Sequence, residues 1–354
     1  MKHMTRWVLA AAAAAGALAW MLPAAAQAQV RWGDTATVAA RDAGWGRMAQ
    51  LADGRWLAVT TRFHPDAPST LALSVSGDRA RTWTALSSVA EDGRQIDNGE
   101  LLALPDGRVL LAMRSLIAGA SYRLHLYDSG DGGRSWAFVG VIDANEAPQG
   151  RNDRGLWEPM LSALPDGALS VLYADETHAD ASPAYNQVVT QRLSRDGGRT
   201  WGPKASIVAE PGGGRLRPGM PVMTRLRDGR YLLVFEICGA DPQCPVSMKY
   251  SADGVQWPQG LGTPLQHQRC GPHVMATAQG TVFATSCLNQ VAWSDTAGAS
   301  WQLTGEPAWP FGFQHSWPAL YDLGQGEIGV INNVAGGVQI RFGQIVEAEP
   351  SQAR

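Results

Sequence analysis

Residues 160–173 read MLSALPDGALSVLY, which is two apolar runs joined by a Pro-Asp-Gly turn. Apolar runs on both sides of an Asp-Gly dipeptide are the strongest short-range signal for a β-hairpin. The same unit recurs along the chain, with six turns near Asp53, Asp106, Asp166, Asp228, Gln279 and Gln325. These turns lie about 46 to 62 residues apart, a spacing that suits one four-stranded propeller blade for each copy.

A second motif, Ser-x-Asp-x-Gly-x-Thr/Ser-Trp, alternates with the hairpins. It is complete in residues 129–136 and 194–201, and altered copies occupy residues 76–83, 251–257 and 294–301. In such an Asp box the Asp accepts backbone N–H bonds, the Gly adopts a positive φ, and the Trp packs beneath the turn. The boxes therefore indicate structural turns between the third and fourth strands of a blade, not catalytic Asp residues.

The sixth hairpin has no Asp box, and the two ends of the chain explain why. Residues 338–346 supply a third strand for the last blade, and a short polar segment follows them. The N-terminal residues 30–39 then supply the outer strand, which closes the ring and leaves no exposed sheet edge. We therefore predict an all-β, six-bladed β-propeller over residues 30–346, followed by a polar tail at 347–354.

The N-terminal 28 residues have the features of a signal peptide. Lys2 and Arg6 precede an apolar run at 7–22, and residues 26–28 (AQA) form a small-x-small cleavage site. A membrane anchor is the alternative, but the apolar run is short for a bilayer span. We expect cleavage after Ala28 and an exported protein, periplasmic or secreted, without a membrane span after processing.

The composition excludes several classes of protein. The chain has 354 residues, of which 45% are hydrophobic, with 14 Trp and a net charge of −3. It is too apolar for a disordered protein, and its charge balance gives no footprint for nucleic acid. We expect a monomer that binds no nucleic acid.

Four cysteines lie in the second half of the chain, namely Cys238, Cys244, Cys270 and Cys287. An even number of cysteines in an oxidising compartment indicates disulfides, with three possible connectivities. We favour Cys238–Cys244 and Cys270–Cys287, because each pair can clamp one local turn or hairpin. The spacing does not match a zinc site, and no metal or organic cofactor is implied.

The repeat also predicts which residues share a level at one end of the ring. The first strand of each unit runs toward the turn and the second runs back, so residues about eight before and eight after the turn share a face. Polar side chains of separate blades then converge on the mouth of the channel, where propellers usually bind ligands. The residues near this level are Arg47, Arg62, Asn98, Arg114, Glu158, Asp175, Arg217, Met220, Glu236, His273, His315, Trp317 and Asn333.

Two glutamates stand in otherwise apolar stretches. Glu158 lies within LWEPM at 156–160, and Glu236 ends the run LLVFE at 232–236. Apolar surroundings raise the pKa of a carboxyl group, which suits a general acid. Glycoside hydrolysis uses a carboxyl pair, one to protonate the leaving oxygen and the other to attack or to activate water. The alternative is that each Glu is buried and bonded to an Arg or to a turn amide.

Asp boxes on a six-bladed propeller resemble the sialidase superfamily of glycoside hydrolases. That resemblance implies a Tyr nucleophile with a Glu partner, an Asp acid and three Arg residues for the sugar carboxylate. Residues 46–51 (GRMAQL) resemble the first sialidase Arg motif, which makes Arg47 the candidate. Residues 315–320 (HSWPAL) fall where sialidases have a Tyr-Ser-x-Leu segment, but His315 replaces the Tyr, and we find no complete Arg triad.

A second resemblance fits better, to the exo-arabinanases of glycoside hydrolase family 93. The segments that carry it are residues 156–160, 171–176, 217–226 and 231–236. It implies catalysis by Glu158 and Glu236, with exo-cleavage of α-1,5-linked L-arabinan, release of arabinobiose and retention of configuration. The apolar flank formed by Trp157 and Met160 favours Glu158 as the acid/base and Glu236 as the nucleophile, with the reverse assignment left open.

Six further residues are candidates for binding an oligo- or polysaccharide substrate, namely Arg47, Asn98, Asp175, Arg217, His315 and Trp317. Asn98 and Asp175 offer hydrogen bonds to sugar hydroxyls, and Trp157 or Trp317 either stacks on a sugar or packs in the core. The two Arg residues either bind substrate or keep a glutamate ionised, and the His is either a polar ligand or a structural residue. Two other functions stay open, an exo-α-sialidase and a non-catalytic carbohydrate- or protein-binding propeller.

Overall fold

The computed structural model describes residues 28–146, 154–310 and 317–347. His315, the predicted signal peptide except for Ala28, and the predicted tail beyond residue 347 lie outside the described residues. The described chain contains β-strands and no helix. It therefore has no helix with the length and apolarity that crossing a membrane would require.

The described residues form 24 strands joined by turns and loops. In chain order these are β1 (Ala28–Ala39), β2 (Ala43–Gln50), β3 (Trp56–His64), β4 (Ala67–Ser76), β5 (Thr84–Val89), β6 (Gln95–Ala103), β7 (Val109–Ile117), β8 (Ser121–Ser129), β9 (Ala137–Glu146), β10 (Leu156–Ala163), β11 (Leu169–Asp175), β12 (Val188–Ser194), β13 (Ala205–Val208), β14 (Arg217–Arg225), β15 (Tyr231–Cys238), β16 (Pro245–Ser251), β17 (Thr263–Arg269), β18 (His273–Ala276), β19 (Val282–Thr285), β20 (Val291–Ser294), β21 (Gln302–Leu303), β22 (Ala319–Gly324), β23 (Glu327–Val334) and β24 (Gly337–Glu347).

The described strands form six four-stranded antiparallel sheets, which are the six predicted blades. Blades one to five each consist of four consecutive strands, β2–β5, β6–β9, β10–β13, β14–β17 and β18–β21. The first strands of neighbouring blades contact one another, for example β2 with β6, β6 with β10, and β14 with β18, so these strands surround the central axis. The prediction of an all-β, six-bladed propeller is confirmed.

The sixth blade brings together the first and last described strands. Its order is β22, β23, β24 and then β1, so the N-terminal strand lies outermost. The antiparallel pairing of β1 with β24 extends from Ala28 opposite Glu347 to Ala39 opposite Val338. This arrangement confirms the predicted closure. It also explains the missing Asp box, because the third and fourth strands of this blade are not consecutive in the sequence.

The apolar core is divided among the interfaces between neighbouring blades. Six buried clusters each combine residues of two adjacent blades. In β3, Leu57 and Val59 pack toward blade two, whereas Trp56 and Ala58 pack toward blade six. A strand that is buried on both faces needs apolar residues at successive positions, and this requirement accounts for the continuous apolar runs of the hairpins.

The Asp boxes form the turns between the third and fourth strands of blades one to five. In blade three, the Ser194 hydroxyl accepts the Gly198 N–H and donates to Asp196, each at 2.8 Å. Asp196 accepts the backbone N–H and the hydroxyl of Thr200 at 2.9 and 2.6 Å. In the fifth box, Thr296 takes the place of the Asp. These contacts are structural, as the sequence predicts.

The structure contains two disulfides, Cys238–Cys244 and Cys270–Cys287, and no free cysteine. This is the connectivity that the sequence favours. Both bridges lie at the mouth-facing ends of blades four and five, since Cys238 ends β15 and Cys270 directly follows β17.

Replacing Ser194 by Ala is expected to lower the free energy of unfolding by about 1–3 kcal/mol, because it leaves the buried Gly198 N–H without an acceptor. The measurement is urea unfolding of the variant and of the unchanged protein. The matched control is Ser206→Ala, which removes an exposed hydroxyl in the same blade. Equal losses in the two variants would contradict the role of Ser194 in the turn.

Candidate active site

A β-bulge interrupts the innermost strand of each of the first four blades. The first residue of every bulge has a left-handed backbone, with φ of 51°, 50°, 49° and 48° at Trp45, Asn98, Glu158 and Met220, respectively. A Gly or a Pro follows each of them. Bulges redirect side chains, and non-glycine residues with positive φ concentrate at functional sites. The bulges therefore single out one end of the ring as the candidate site.

A cavity of about 170 Å³ lies on the axis of the propeller at this end. Side chains from all six blades line it, and three of the four bulge residues, Trp45, Glu158 and Met220, are among them. Its lining also includes Arg47, Glu100, Met160, His273 and Tyr321. A cavity smaller than the usual drug-sized pocket of roughly 300–1,000 Å³ has room for a small group such as one sugar ring.

Glu158 extends from its bulge in blade three toward blade four. One carboxylate oxygen accepts the Met220 N–H at 3.3 Å. Burial and the neighbouring Glu236 raise the pKa of Glu158 to about 8, while Arg114 acts in the opposite direction. At neutral pH this carboxyl therefore holds a proton that it can donate.

Glu236 lies near the end of β15 in blade four and faces Glu158. Burial raises its pKa, while the Gly271 N–H and Arg217 oppose that rise. The Gly271 N–H donates to its carboxylate at 2.7 Å. A hydrogen bond to the charged form of a carboxyl favours ionisation. The Gly271 N–H and Arg217 thus favour the charged form of Glu236, against the effect of burial.

The two carboxyls flank one short stretch of backbone in β14. Glu158 is bonded to the N–H of Met220, and an atom placed at the Cβ position of Gly219 would lie 3.7 Å from a Glu236 oxygen. A Cβ there would also lie 2.7 Å from the Gln187 side chain. Because Gly219 has no side chain, Glu236 and Gln187 can both lie close to this strand. The predicted glutamates of blades three and four therefore approach the same segment of β14, and of the two Glu158 lines the cavity.

A cation and an aromatic ring form one wall beside Glu158. The Arg114 guanidinium lies 4.2 Å above the Trp157 ring. It also forms a two-pronged ion pair with Asp97, at 2.7 and 2.5 Å. Trp157 is half-buried, and the Arg114 guanidinium occupies one face of its ring, so a sugar could stack only on the other face.

Arg47 lies deeper than the glutamate pair, in the floor of the cavity. It is 4% exposed, donates to the Gly46 and Trp317 carbonyls, and lies 3.7 Å from the Glu100 carboxylate. Burial raises the pKa of Glu100 to about 7, and Arg47 opposes that rise. The guanidinium is therefore engaged by this chain's own oxygens.

His273 and Tyr321 complete the floor. Nδ1 of His273 accepts the Leu320 N–H at 3.2 Å, and burial lowers the pKa of this imidazole well below its usual value. The Tyr321 hydroxyl accepts the Met48 N–H at 2.8 Å, and burial together with Glu100 raises its pKa. The His is thus neutral and the Tyr protonated at neutral pH.

The sequence did not single out Glu100 or Tyr321 as candidates. Both lie on innermost strands, where Glu100 is two residues beyond the bulge residue Asn98. The Gly or Pro that follows each bulge residue is the sequence signal that could have located the bulges, and with them the residues that lie deeper in the channel. Counting two residues on from Trp45 and Asn98, which precede these glycines, gives Arg47 and Glu100.

Two predicted substrate contacts, Asp175 and Asn98, lie outside the lining of this cavity. Asp175 is fully buried and its oxygens bind Thr177, Thr190 and Lys204 outside the cavity. It lies one residue beyond the predicted level, and one step along a strand turns a side chain to the opposite face. Asn98 is 9% exposed at its bulge and does not line the cavity.

Arg217 and Trp317 lie at the mouth in different settings. Arg217 forms an ion pair with the buried Glu176, whose other oxygen accepts the Gly155 N–H at 2.6 Å. Because Arg217 also opposes the rise in the pKa of Glu236, its position fits the alternative of keeping a glutamate ionised. The half-buried Trp317 ring lies 5.9 Å from Trp45, so two indoles stand beside the cavity on blades six and one.

The described residues do not present three unpaired arginines at the mouth. Each Arg of the site already faces a carboxylate, and the pairs are Arg47–Glu100, Arg114–Asp97 and Arg217–Glu176. A neutral sugar needs none of these guanidinium groups as a partner for a substrate carboxylate.

One cluster in the described residues has the composition of a metal site, Glu236 with Cys238 and Cys244. The two sulfurs form a disulfide and therefore have no thiolate to offer to a metal. The cluster is better understood as a carboxyl packed against a disulfide.

Comparisons with known proteins agree with this architecture. No protein-family model matches the chain. A curated sialidase of Micromonospora viridifaciens is 31% identical over 196 residues, which is 54% of this chain and 26% of the sialidase. The chain thus spans about a quarter of the length of the curated relative that it matches.

Solved structures of glycoside hydrolases share the fold over most of the chain. A Penicillium chrysogenum α-L-arabinanase complexed with arabinobiose is 23% identical, with a TM-score of 0.73 over 88% of this chain and 98% of the other. The family 93 α-L-arabinofuranosidase of Fusarium graminearum, also with arabinobiose, is 19% identical, with a TM-score of 0.69 over 89% and 98%. The NanB sialidase of Streptococcus pneumoniae is 12% identical, with a TM-score of 0.59 over 90% and 71%. These likenesses confirm the sialidase-type fold that the sequence resembles.

Replacing Glu236 by Gln is expected to lower the pKa of Glu158 from about 8, because the neighbouring negative charge is lost. The pKa of Glu158 should stay above its ordinary value of 4.5, since its burial remains. The measurement is a ¹³C NMR titration of the glutamate carboxyl carbons. Glu100, whose pKa of about 7 comes from burial, is the internal control. A pKa of Glu158 that does not move would show that the two carboxyls are not coupled.

Proposed function

We propose that the protein is an exported glycoside hydrolase that cleaves α-1,5-linked L-arabinan from a chain end, with Glu158 and Glu236 as the catalytic pair. The observation that carries the proposal is the pair itself. Two half-buried carboxyls with raised pKa approach one backbone segment beside an axial cavity, which Glu158 lines. The arabinanases and arabinofuranosidases with the same fold support the choice of substrate.

A protonated carboxyl with a second carboxyl nearby suits hydrolysis of a glycosidic bond. The protonated carboxyl gives its proton to the leaving oxygen as the bond from the anomeric carbon breaks. The ionised carboxyl bonds to that carbon in a retaining reaction, and water then releases the sugar while the first carboxyl takes back a proton. In the free protein the proton resides on Glu158, which agrees with Glu158 as the acid/base.

The small size of the cavity supports exo-cleavage. Arg47, Glu100, His273 and Tyr321 line it. Its volume of about 170 Å³ suits one sugar at the end of a chain. A neutral pentose also suits a site whose arginines are all engaged in ion pairs.

A second candidate is an exo-α-sialidase. It is favoured by the curated sialidase relative and by the presence of Arg47 and Tyr321 in the cavity. Against it, Arg47 is paired with Glu100, and the raised pKa of Tyr321 opposes its use as a nucleophile. The arabinanase proposal therefore takes precedence.

The unchanged protein is expected to release disaccharide from linear α-1,5-arabinan and no sialic acid from sialyllactose. Glu158→Gln and Glu236→Gln should each lower kcat by about 100- to 10,000-fold, as expected for loss of a catalytic carboxyl. The control is Glu146→Gln, which breaks a surface ion pair with Arg123 and should leave kcat unchanged. Release of sialic acid would contradict arabinan as the substrate and favour the sialidase. No release from either glycan would favour a non-catalytic binding propeller.

The leaving group separates the two roles. The variant that lacks the acid/base should keep most of its first-step rate on an aryl glycoside with a good leaving group, and azide should restore its turnover. The variant that lacks the nucleophile should stay inactive on the same substrate. We expect Glu158→Gln to behave in the first way and Glu236→Gln in the second. Equal losses on good and poor leaving groups in both variants would contradict a two-carboxyl mechanism.

Export is the remaining part of the proposal. The basic residues, apolar run and AQA site at the N-terminus support it. Cleavage after Ala28 would remove one residue of β1 and keep the pairing of Val30 with Ile345. The test is N-terminal sequencing of protein recovered from the periplasm or medium of an expressing bacterium, with Gln29 expected first. Intact Met1 in a cytoplasmic fraction would contradict export.

A further inference from the structure

Glu236 depends on a backbone amide whose position is unusually constrained. Its carboxylate accepts the Gly271 N–H at 2.7 Å, although Gly271 lies 35 residues away in the loop that links blade four to blade five. The residue before this glycine is Cys270, which is bridged to Cys287. The donor of the hydrogen bond is thus directly attached to a half-cystine.

The backbone around the two disulfides is left-handed. Cys244 and Cys270 have φ of 48° and 42°, and Gly271 has φ of 46°. A non-glycine residue stays in this region only where its surroundings fix it. One half of each disulfide is therefore held in a conformation that an unconstrained cysteine would leave.

Direct contacts join the two disulfide loops. The Cys270 N–H donates to the Cys244 carbonyl at 2.8 Å, and the Cys287 N–H donates to the Cys270 carbonyl at 3.1 Å. Arg269 also forms an ion pair with Asp241 at 2.6 Å. The loop between Cys238 and Cys244 and the turn at Cys270 form one unit at the mouth.

The other disulfide, Cys238–Cys244, lies against the same Glu236 carboxyl. A Glu236 oxygen and the sulfurs of Cys238 and Cys244 lie within 4.8 Å of one another. Sulfur is a poor hydrogen-bond partner for a carboxylate, so this contact excludes water without replacing it. The two disulfides therefore act on Glu236 in opposite directions, one by desolvating it and the other by supplying a donor.

We propose that the Cys270–Cys287 disulfide is a positioning element of the active site, which holds the Gly271 N–H against the Glu236 carboxyl, while Cys238–Cys244 shields that carboxyl from water. The inference rests on the proposed function of Glu236. It predicts a specific consequence of losing each bridge. Without Cys270–Cys287, the Gly271 N–H moves away and the charged Glu236 carboxyl loses its hydrogen bond. Without Cys238–Cys244, water reaches this carboxyl.

The test compares two double variants, Cys270→Ser/Cys287→Ser and Cys238→Ser/Cys244→Ser. In the first, the pKa of Glu236 should rise, because the charged carboxylate loses its hydrogen bond from the Gly271 N–H. In the second, the pKa of Glu236 should fall, because desolvation is relieved. The readouts are a ¹³C NMR titration of the Glu236 carboxyl and the pH profile of arabinan hydrolysis.

The pH profile separates positioning from mere stability. In Cys270→Ser/Cys287→Ser, the limb that Glu236 controls should move to higher pH whichever catalytic role it has. kcat should fall by about 10- to 100-fold with little change in KM, as expected for a misplaced catalytic group. A lower melting temperature with an unmoved titration and an unmoved profile would overturn the proposal. So would shifts of equal size and sign in the two double variants.

The NMR titration keeps this inference independent of the substrate. If the unchanged protein hydrolyses no glycan, the proposed function fails, but opposite shifts of the Glu236 titration still support the positioning role. If a double variant does not fold, the same titration is made on folded protein treated with dithiothreitol. The reagent gives two electrons and two protons to the disulfide, which yields two thiols, and is itself oxidised to a cyclic disulfide. Because loss of the two bridges should shift the pKa of Glu236 in opposite directions, one bridge is reduced at a time. An unchanged Glu236 titration when Cys270–Cys287 is reduced in the folded Cys238→Ser/Cys244→Ser variant would overturn the proposal.

Discussion

The pairing of β1 with β24 is the constraint on which the rest of the structure depends. Each blade is apolar on both faces, so it needs a neighbour on each side, and only a closed ring gives every blade two neighbours. The outer strand of blade six comes from the opposite end of the described chain, so one sheet ties the first and last blades together. The axial cavity exists because this ring is closed, and its lining comes from all six blades.

The electrostatics of the mouth follow from that enclosure. Burial in the ring raises the pKa values of Glu158 and Glu236, and their proximity adds to the effect at Glu158. Around them, the cations of the site are matched one to one by carboxylates. Charge is thereby concentrated in one coupled carboxyl pair, and the remaining surroundings are close to neutral. Such a pair meets the requirement of a reaction that moves one proton and one bond at a time.

The sequence predicted the fold almost completely, because hairpin turns and Asp boxes are local signals that repeat. It also predicted the level of Glu158 and Glu236, since both lie eight residues from a turn. Asp175 lies one residue beyond this level, and because side chains alternate along a strand, its carboxylate binds Thr190 and Lys204 outside the cavity lining. The sequence did not single out Glu100, because the bulge before this residue inserts an extra position, and the depth of a side chain in the channel depends on contacts between distant blades.

The left-handed bulges give the mouth a modular character. Because the backbone sets the direction of the side chain, the residue type at a bulge can change without a change in the strand that carries it. Met220 occupies the same kind of position as Glu158, and Asn and Asp tolerate its φ of 48° better than most residues. The bulges thus provide equivalent backbone positions in several blades, and a substitution at one of them changes the chemistry of the mouth without changing the blade. Relatives built on this plan can therefore diverge in substrate while their blades stay the same.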